Sequence, residues 1–124
     1  MAYEGKLSLD GNDYDIDWML MRVIRDEDKR GVPSSRPEWA ILVGMDALED
    51  STIKNWMIDP NMQKDGKITL NRIDEDATYK EIEFKKAYCA TYRDEFFSDQ
   101  DYLKTIIYII GKEITFNKAT LNVV

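Results

Sequence analysis

The sequence predicts an all-β fold: a compact β-barrel or two-sheet sandwich with one short lateral α-helix and a long protruding loop. Three observations predict it. Period-2 alternation of apolar and polar residues dominates the 124-residue chain. Turn dipeptides punctuate that alternation at intervals. Only one short segment has helical spacing instead.

The elements follow in order. Tyr3, Gly5, Leu7 and Leu9 alternate with Glu4, Lys6 and Ser8, which gives a first strand. Asp10-Gly11 is a strong hairpin signal and leads into a second strand from Tyr14 to Arg25. Glu38 to Met45 reads as a third, more continuously apolar strand. In Asp50 to Pro60, residues Ile53, Trp56 and Met57 fall at i, i+3 and i+4. Asp50 or Ser51 can cap this helix of about two turns, and Pro60 forbids its continuation. Lys64-Asp65-Gly66-Lys67 reads as a turn before a strand from Ile68 to Ile73. Tyr79 to Phe96 and Tyr102 to Phe116 are two long strands, and Ala119 to Val124 is a short edge piece. Strands of roughly 15 residues exceed the usual five or six and must bend, with Gly111 a candidate bend point. There is no internal repeat, and residues 1–124 form one domain, long enough to bury a sizeable core.

Two strands are apolar on both faces. Between Tyr14 and Arg25, one face offers Ile16, Trp18, Leu20 and Ile24, the other Met19, Met21 and Val23. Between Tyr102 and Phe116, Ile106, Tyr108 and Ile110 are backed by Leu103, Ile107 and Ile109. A sandwich strand with one wet face alternates more cleanly. Either both faces are covered within the monomer or the outer face is an interface.

The loop between the second and third strands runs Arg25, Asp26, Glu27, Asp28, Lys29, Arg30, Gly31, Val32, Pro33, Ser34, Ser35, Arg36, Pro37. At about a dozen residues it is long for a compact domain, and ordered loops of that length are usually functional. Pro33 and Pro37 fix their own φ and bias Val32 and Arg36 toward extended backbone, so a semi-rigid arm is expected. Its acidic block precedes its basic residues. A segregated pattern of that kind suits docking onto another copy of the same surface.

Composition excludes several classes of function. A net charge of −7 with no basic stripe argues against nucleic acid or an anionic membrane as partner. The longest unbroken apolar run, Ile106 to Ile110, is far too short for a membrane span. The N-terminal residues lack the pattern of a cleavable signal peptide, so any export is expected to use another route. Cys89 is the only cysteine; no intrachain disulfide can form, and a reducing cytoplasm is the expected folding compartment.

Candidate chemistry is sparse. The chain has no histidine, which removes the commonest general base and metal ligand. Cys89 lies inside a strand pattern, where a buried thiol is the expectation. Asn61, Gln63, Asp65 and Gly66 mimic the start of a calcium loop, but its twelfth position is Arg72 where a bidentate Glu is required. Asp94, Glu95, Asp99 and Asp101 offer carboxylates, yet they cluster in a connection and no pair stands out. Trp18, Trp39 and Trp56 read as core, or as the lining of a small-ligand or glycan site in a binding barrel. No enzyme, cofactor or metal is expected.

With arm, helix and closing strands placed, the chain resembles the Hcp/TssD family of type VI secretion tube proteins, in its divergent TssD branch. The resemblance rests on Leu7-Ser-Leu-Asp-Gly11, on Arg25 to Ser35 and on Asp50-Ser51-Thr52, with the element order agreeing over essentially the whole chain. It implies a barrel protomer that forms hexameric rings, stacked into a tube inside a contractile sheath. Baseplate, spike and effector proteins carried in the lumen are the implied partners. The protein would be cytoplasmic before firing and released through the apparatus. On this reading the arm, with Asp26, Asp28, Lys29, Arg30 and Arg36 foremost, contacts the adjacent ring. The tube of another contractile particle, or a ligand-binding barrel, is the alternative.

Overall fold

Asp10 and Gly11 both adopt positive φ, 51° and 79°. This is the two-residue turn whose twist matches the strands it joins. It connects β1 (Tyr3–Leu9) to β2 (Asn12–Ile24), which pair antiparallel from Leu9 and Asn12 outward. There follow β3 (Glu38–Asp46), α1 (Thr52–Ile58), β4 (Lys64–Arg72), β5 (Thr78–Phe97), β6 (Tyr102–Phe116) and β7 (Ala119–Asn122). The computed structural model describes residues 3–25, 29–31, 37–47, 50–73, 78–117 and 119–122.

The strand order is β3-β2-β1-β4-β5-β6-β7, and β3 pairs in addition with β6. That last pairing runs antiparallel from Ala40 opposite Ile110 to Asp46 opposite Lys104. Six strands therefore close into a barrel. One edge of β6 is shared, with β3 on residues 104–110 and β7 on residues 113–116. Closure satisfies the backbone groups that an open sheet would leave unpaired. The interior is filled by side chains with no exposure at all, among them Leu7, Ile41, Ile68, Ile82, Phe84 and Ile109.

Three local irregularities reshape the strands, one on β2 and two on β5. The β2–β3 register shifts between Ile16 and Trp18, leaving Asp17 outside the ladder. A bulge of one residue exchanges inside for outside beyond it. Ile16 therefore packs on the core with Met19 and Met21, while Trp18, Leu20 and Ile24 face outward. The expected face of Ile16, Trp18, Leu20 and Ile24 is split at Asp17. On β5, Lys86 has a positive φ of 53° and its N–H is taken by Asp65 Oδ1 at 2.9 Å. Ala90 bulges out between Cys89, opposite Ile109, and Thr91, opposite Tyr108. These two sites bend the long hairpin. Gly111 lies beside the first, opposite Ala87, and β6 stays one strand through it; a Cβ there would sit 2.8 Å from Ala87 Cα.

The expected turn at Lys64 to Lys67 is instead the first part of β4. Gly66 pairs opposite both Leu9 and Phe84, so the absent side chain makes room for the Phe84 ring rather than for a change of direction. The real turn lies earlier, where Asp59 Oδ1 accepts the Asn61 N–H at 2.9 Å.

The helix forms about two turns, two residues inside its expected limits at each end. Ser51 occupies the N-cap without a side-chain bond, and the Asp50 carboxylate takes the Thr52 N–H at 3.1 Å and the Tyr14 hydroxyl at 3.0 Å. Ile53 and Trp56 are buried, whereas Met57 is half exposed. Trp56 stacks parallel to Phe84 at 6.3 Å and its Nε1–H donates to the Ala87 carbonyl at 3.0 Å. One aromatic residue thus seats the helix on β5.

Candidate assembly surfaces

The arm leaves the barrel between Ile24 and Glu38, which face each other as the last pair of the β2–β3 ladder. Of its residues, Arg25, Lys29, Arg30 and Gly31 are exposed, and Gly31 has φ 77°. Such a value favours glycine and turns the chain at that point. Asp26, Glu27, Asp28, Val32, Pro33, Ser34, Ser35 and Arg36 lie outside the described residues. Of the arm's basic block, Lys29 and Arg30 are thus placed on the surface.

A second surface is the outer wall of β2, β3 and β6. The ladders set three rows across it: Trp18–Gly44–Ile106, Leu20–Leu42–Tyr108 and Arg22–Ala40–Ile110. The Trp18 ring lies directly over Gly44, where any Cβ would collide with it. Leu20 is 61% exposed and Ile24 52%. Arg22 donates to the Tyr108 hydroxyl at 3.3 Å and stands at the edge of this apolar field. Beyond Ala40 and Ile110 the β3–β6 pairing ends, while β7 joins only from Glu113. The resulting cleft of about 330 Å³ is bordered by Ile24, Tyr88, Ile110 and Lys112 and reaches down to Trp39. Trp39 is 3% exposed, and its Nε1–H has no acceptor among the described residues.

The third surface is the tip of the β5–β6 hairpin. β3 accompanies β6 no further than Lys104, so the hairpin overshoots the barrel end. Phe96 and Leu103 face each other across the overshoot and are 67% and 54% exposed. Phe97 and Tyr102 pack ring to ring at 5.0 Å and 59°. Asp99 and Asp101 lie in the turn between them.

The remaining candidates are absorbed into the scaffold. Asp94 Oδ1 takes the hydroxyl proton of buried Thr105 at 2.7 Å, and Glu95 pairs with Arg93 at 2.8 Å. The four acids nominated from sequence are thus spread along the hairpin rather than gathered. Lys104 binds Asp17 at 2.7 Å and also Asp46, and those two bonds raise its pKa above the ordinary lysine range. This ammonium clips the β2 bulge to the ends of β3 and β6. Cys89 is buried, and desolvation pushes its thiol up to about 11. A thiol so held stays protonated and inert at neutral pH.

Sequence reasoning singled out the two-faced strands but missed the hairpin tip. The adjacent pair Phe96-Phe97, apolar on both faces beside an acidic turn, was the signal available.

Solved structures share this fold. Hcp1 from Flavobacterium johnsoniae superposes with a TM-score of 0.86 at 22% identity, covering 96% of this chain and 98% of that one. Hcp1 from Salmonella typhimurium gives 0.68 at 9% identity over 93% and 86%. The sheath-tube complex of the extracellular contractile injection system PVC gives 0.67 at 12% identity over 96% and 91%. Likeness at these identities shows the fold. No curated protein matches the chain in sequence. Residues 1–123 match the family model described as TssD, Hemolysin coregulated protein Hcp, and the chain belongs to that family.

Proposed function

We propose that this chain forms hexameric rings that stack into the inner tube of a type VI secretion system. Membership of the Hcp family makes it a tube subunit. The rings lie inside a contractile sheath, meet baseplate and spike proteins at the tube's ends and carry small effectors in the lumen. The subunit is held in the cytoplasm until contraction expels the tube, and it performs no catalysis.

The observation that carries this reading is the wall of β2, β3 and β6, apolar outside a barrel that is already full. A monomeric protein rarely shows water a contiguous apolar field of that kind. A heterologous contact through it repeats until the rotation closes, which is how rings arise. A ligand-binding barrel has no comparable support, since Ile41, Ile68 and Phe84 occupy the interior. Electron microscopy of the purified protein in negative stain, with its mass measured in solution, tests the proposal. Rings of six times the monomer mass are expected; a strict monomer at high concentration would overturn it.

A further inference from the structure

We infer that the tip of the β5–β6 hairpin of one copy inserts into the cleft beside β3 and β6 of the next copy in the same ring. This rests on the tube reading and specifies which two surfaces of the chain meet.

Each surface is incomplete by itself. In the hairpin, Phe96 and Leu103 continue the face that buries Thr105, Ile107 and Ile109 lower down the same strands. They remain exposed past the end of the β3–β6 ladder at Asp46 and Lys104, where the Ala47 N–H still donates to the Leu103 carbonyl at 3.1 Å. The Phe97–Tyr102 ring contact stiffens the tip, so little freedom is lost when it docks. Beneath the cleft, the Trp39 Nε1–H is buried and has no acceptor among the described residues.

The two surfaces complement each other in apolar character, and the cleft offers two cations beside one carboxylate to the acidic turn. The tip presents aromatic rings around Asp99 and Asp101. The cleft presents Ile24, Tyr88, Tyr108 and Ile110, and its charged neighbours are Arg22, Lys112 and the carboxylate Glu38. Its volume suits one or two side chains rather than a folded domain. Aromatic anchors seated in a pocket with charged neighbours at the rim are the usual energetic centre of an interface. Leu103 and Lys112 stand nine residues apart on β6, about 30 Å at strand rise. The tip therefore cannot fill its own cleft, and a second copy must supply the occupant; in a ring each copy gives its tip to one neighbour and takes one from the other.

The test uses the full chain with Asp99→Cys and Lys112→Cys, singly and together. Both positions are exposed, and buried Cys89 gives little background. A short bismaleimide is added to preparations imaged as single rings. The double variant is expected to give a covalent ladder that ends at one ring. A mixture of the two single variants should give linked pairs, and each single variant alone should remain unlinked. Rings without linkage, or linkage found only in stacked tubes, would overturn the contact while leaving the tube reading intact. A protein that never assembles would overturn both. As a second measurement, Phe96→Ser with Leu103→Ser changes only exposed side chains; folding measured by circular dichroism should persist while ring formation falls at least tenfold. Undiminished rings would count against the inference.

Discussion

Cys89 contributes to stability through a proton rather than through reactivity. Its thiol is buried and its pKa stands at about 11, against ~8.5 for an exposed thiol. Below ~8.5 both folded and unfolded states hold the proton, so the contribution is complete. Above it the unfolded chain ionises first, and stability declines until the folded thiol ionises in turn. Cys89→Ala is expected to flatten the alkaline slope of unfolding free energy between ~8.5 and about 11. Urea titrations across that range would reveal it. Trp56 makes a different point. Trp56→Phe keeps the ring stack with Phe84 but removes the donor to the Ala87 carbonyl, at an expected cost of about 2 kcal/mol by urea unfolding. The burial of Ile53 and Trp56 was legible from spacing alone. The bond to Ala87 was not, because it depends on the kink at Lys86, and nothing in a Lys-Lys pair announces a positive φ.

Among the elements, the β3–β6 seam decides the architecture, since without it the sheet is an open ribbon. Lys104 fastens one end of that seam by holding Asp17 and Asp46 together. Lys104→Met is expected to leave the fold intact but to speed hydrogen exchange of the Met45 and Thr105 amides, which pair at that end. Because the lysine pKa is raised, this clip acts fully below ~10.4 and weakens as pH climbs past the folded value. At this scale the Asp10-Gly11 hairpin, the helix and the long strands were readable, since each depends on neighbours in sequence. The bulge at Asp17 was not. It arises from how β2 meets β3, so period-2 counting placed Ile16 on the wrong side of Trp18. The Lys64–Lys67 turn failed for a related reason: Gly66 signals close packing by Phe84 as readily as a turn.

For the whole molecule, the all-β class and the idea of self-assembly followed from the apolar second face and the segregated arm. The cleft and the overshooting tip did not, because both are set by where β3 stops pairing with β6, a tertiary event. We propose the arm as the contact between rings, with Lys29 and Arg30 as its placed cations. Lys29→Glu with Arg30→Glu is expected to shorten tubes severalfold in electron micrographs while single rings survive, and raised salt should mimic the change in the wild type. Loss of the rings themselves would move the arm into the lateral contact.

The late position of the closing strand governs when a subunit becomes able to assemble. Ala40 must wait for Ile110, seventy residues downstream, before the barrel can shut. Long-range pairings of this kind are slow to form, and during synthesis the N-terminal strands emerge first without their partner. The outer wall of β2, β3 and β6 does not exist as a surface until β6 has left the ribosome and docked. On the proposed lateral contact, each copy finishes folding before it can recruit another, and the order of the strands itself delays the entry of unfinished chains.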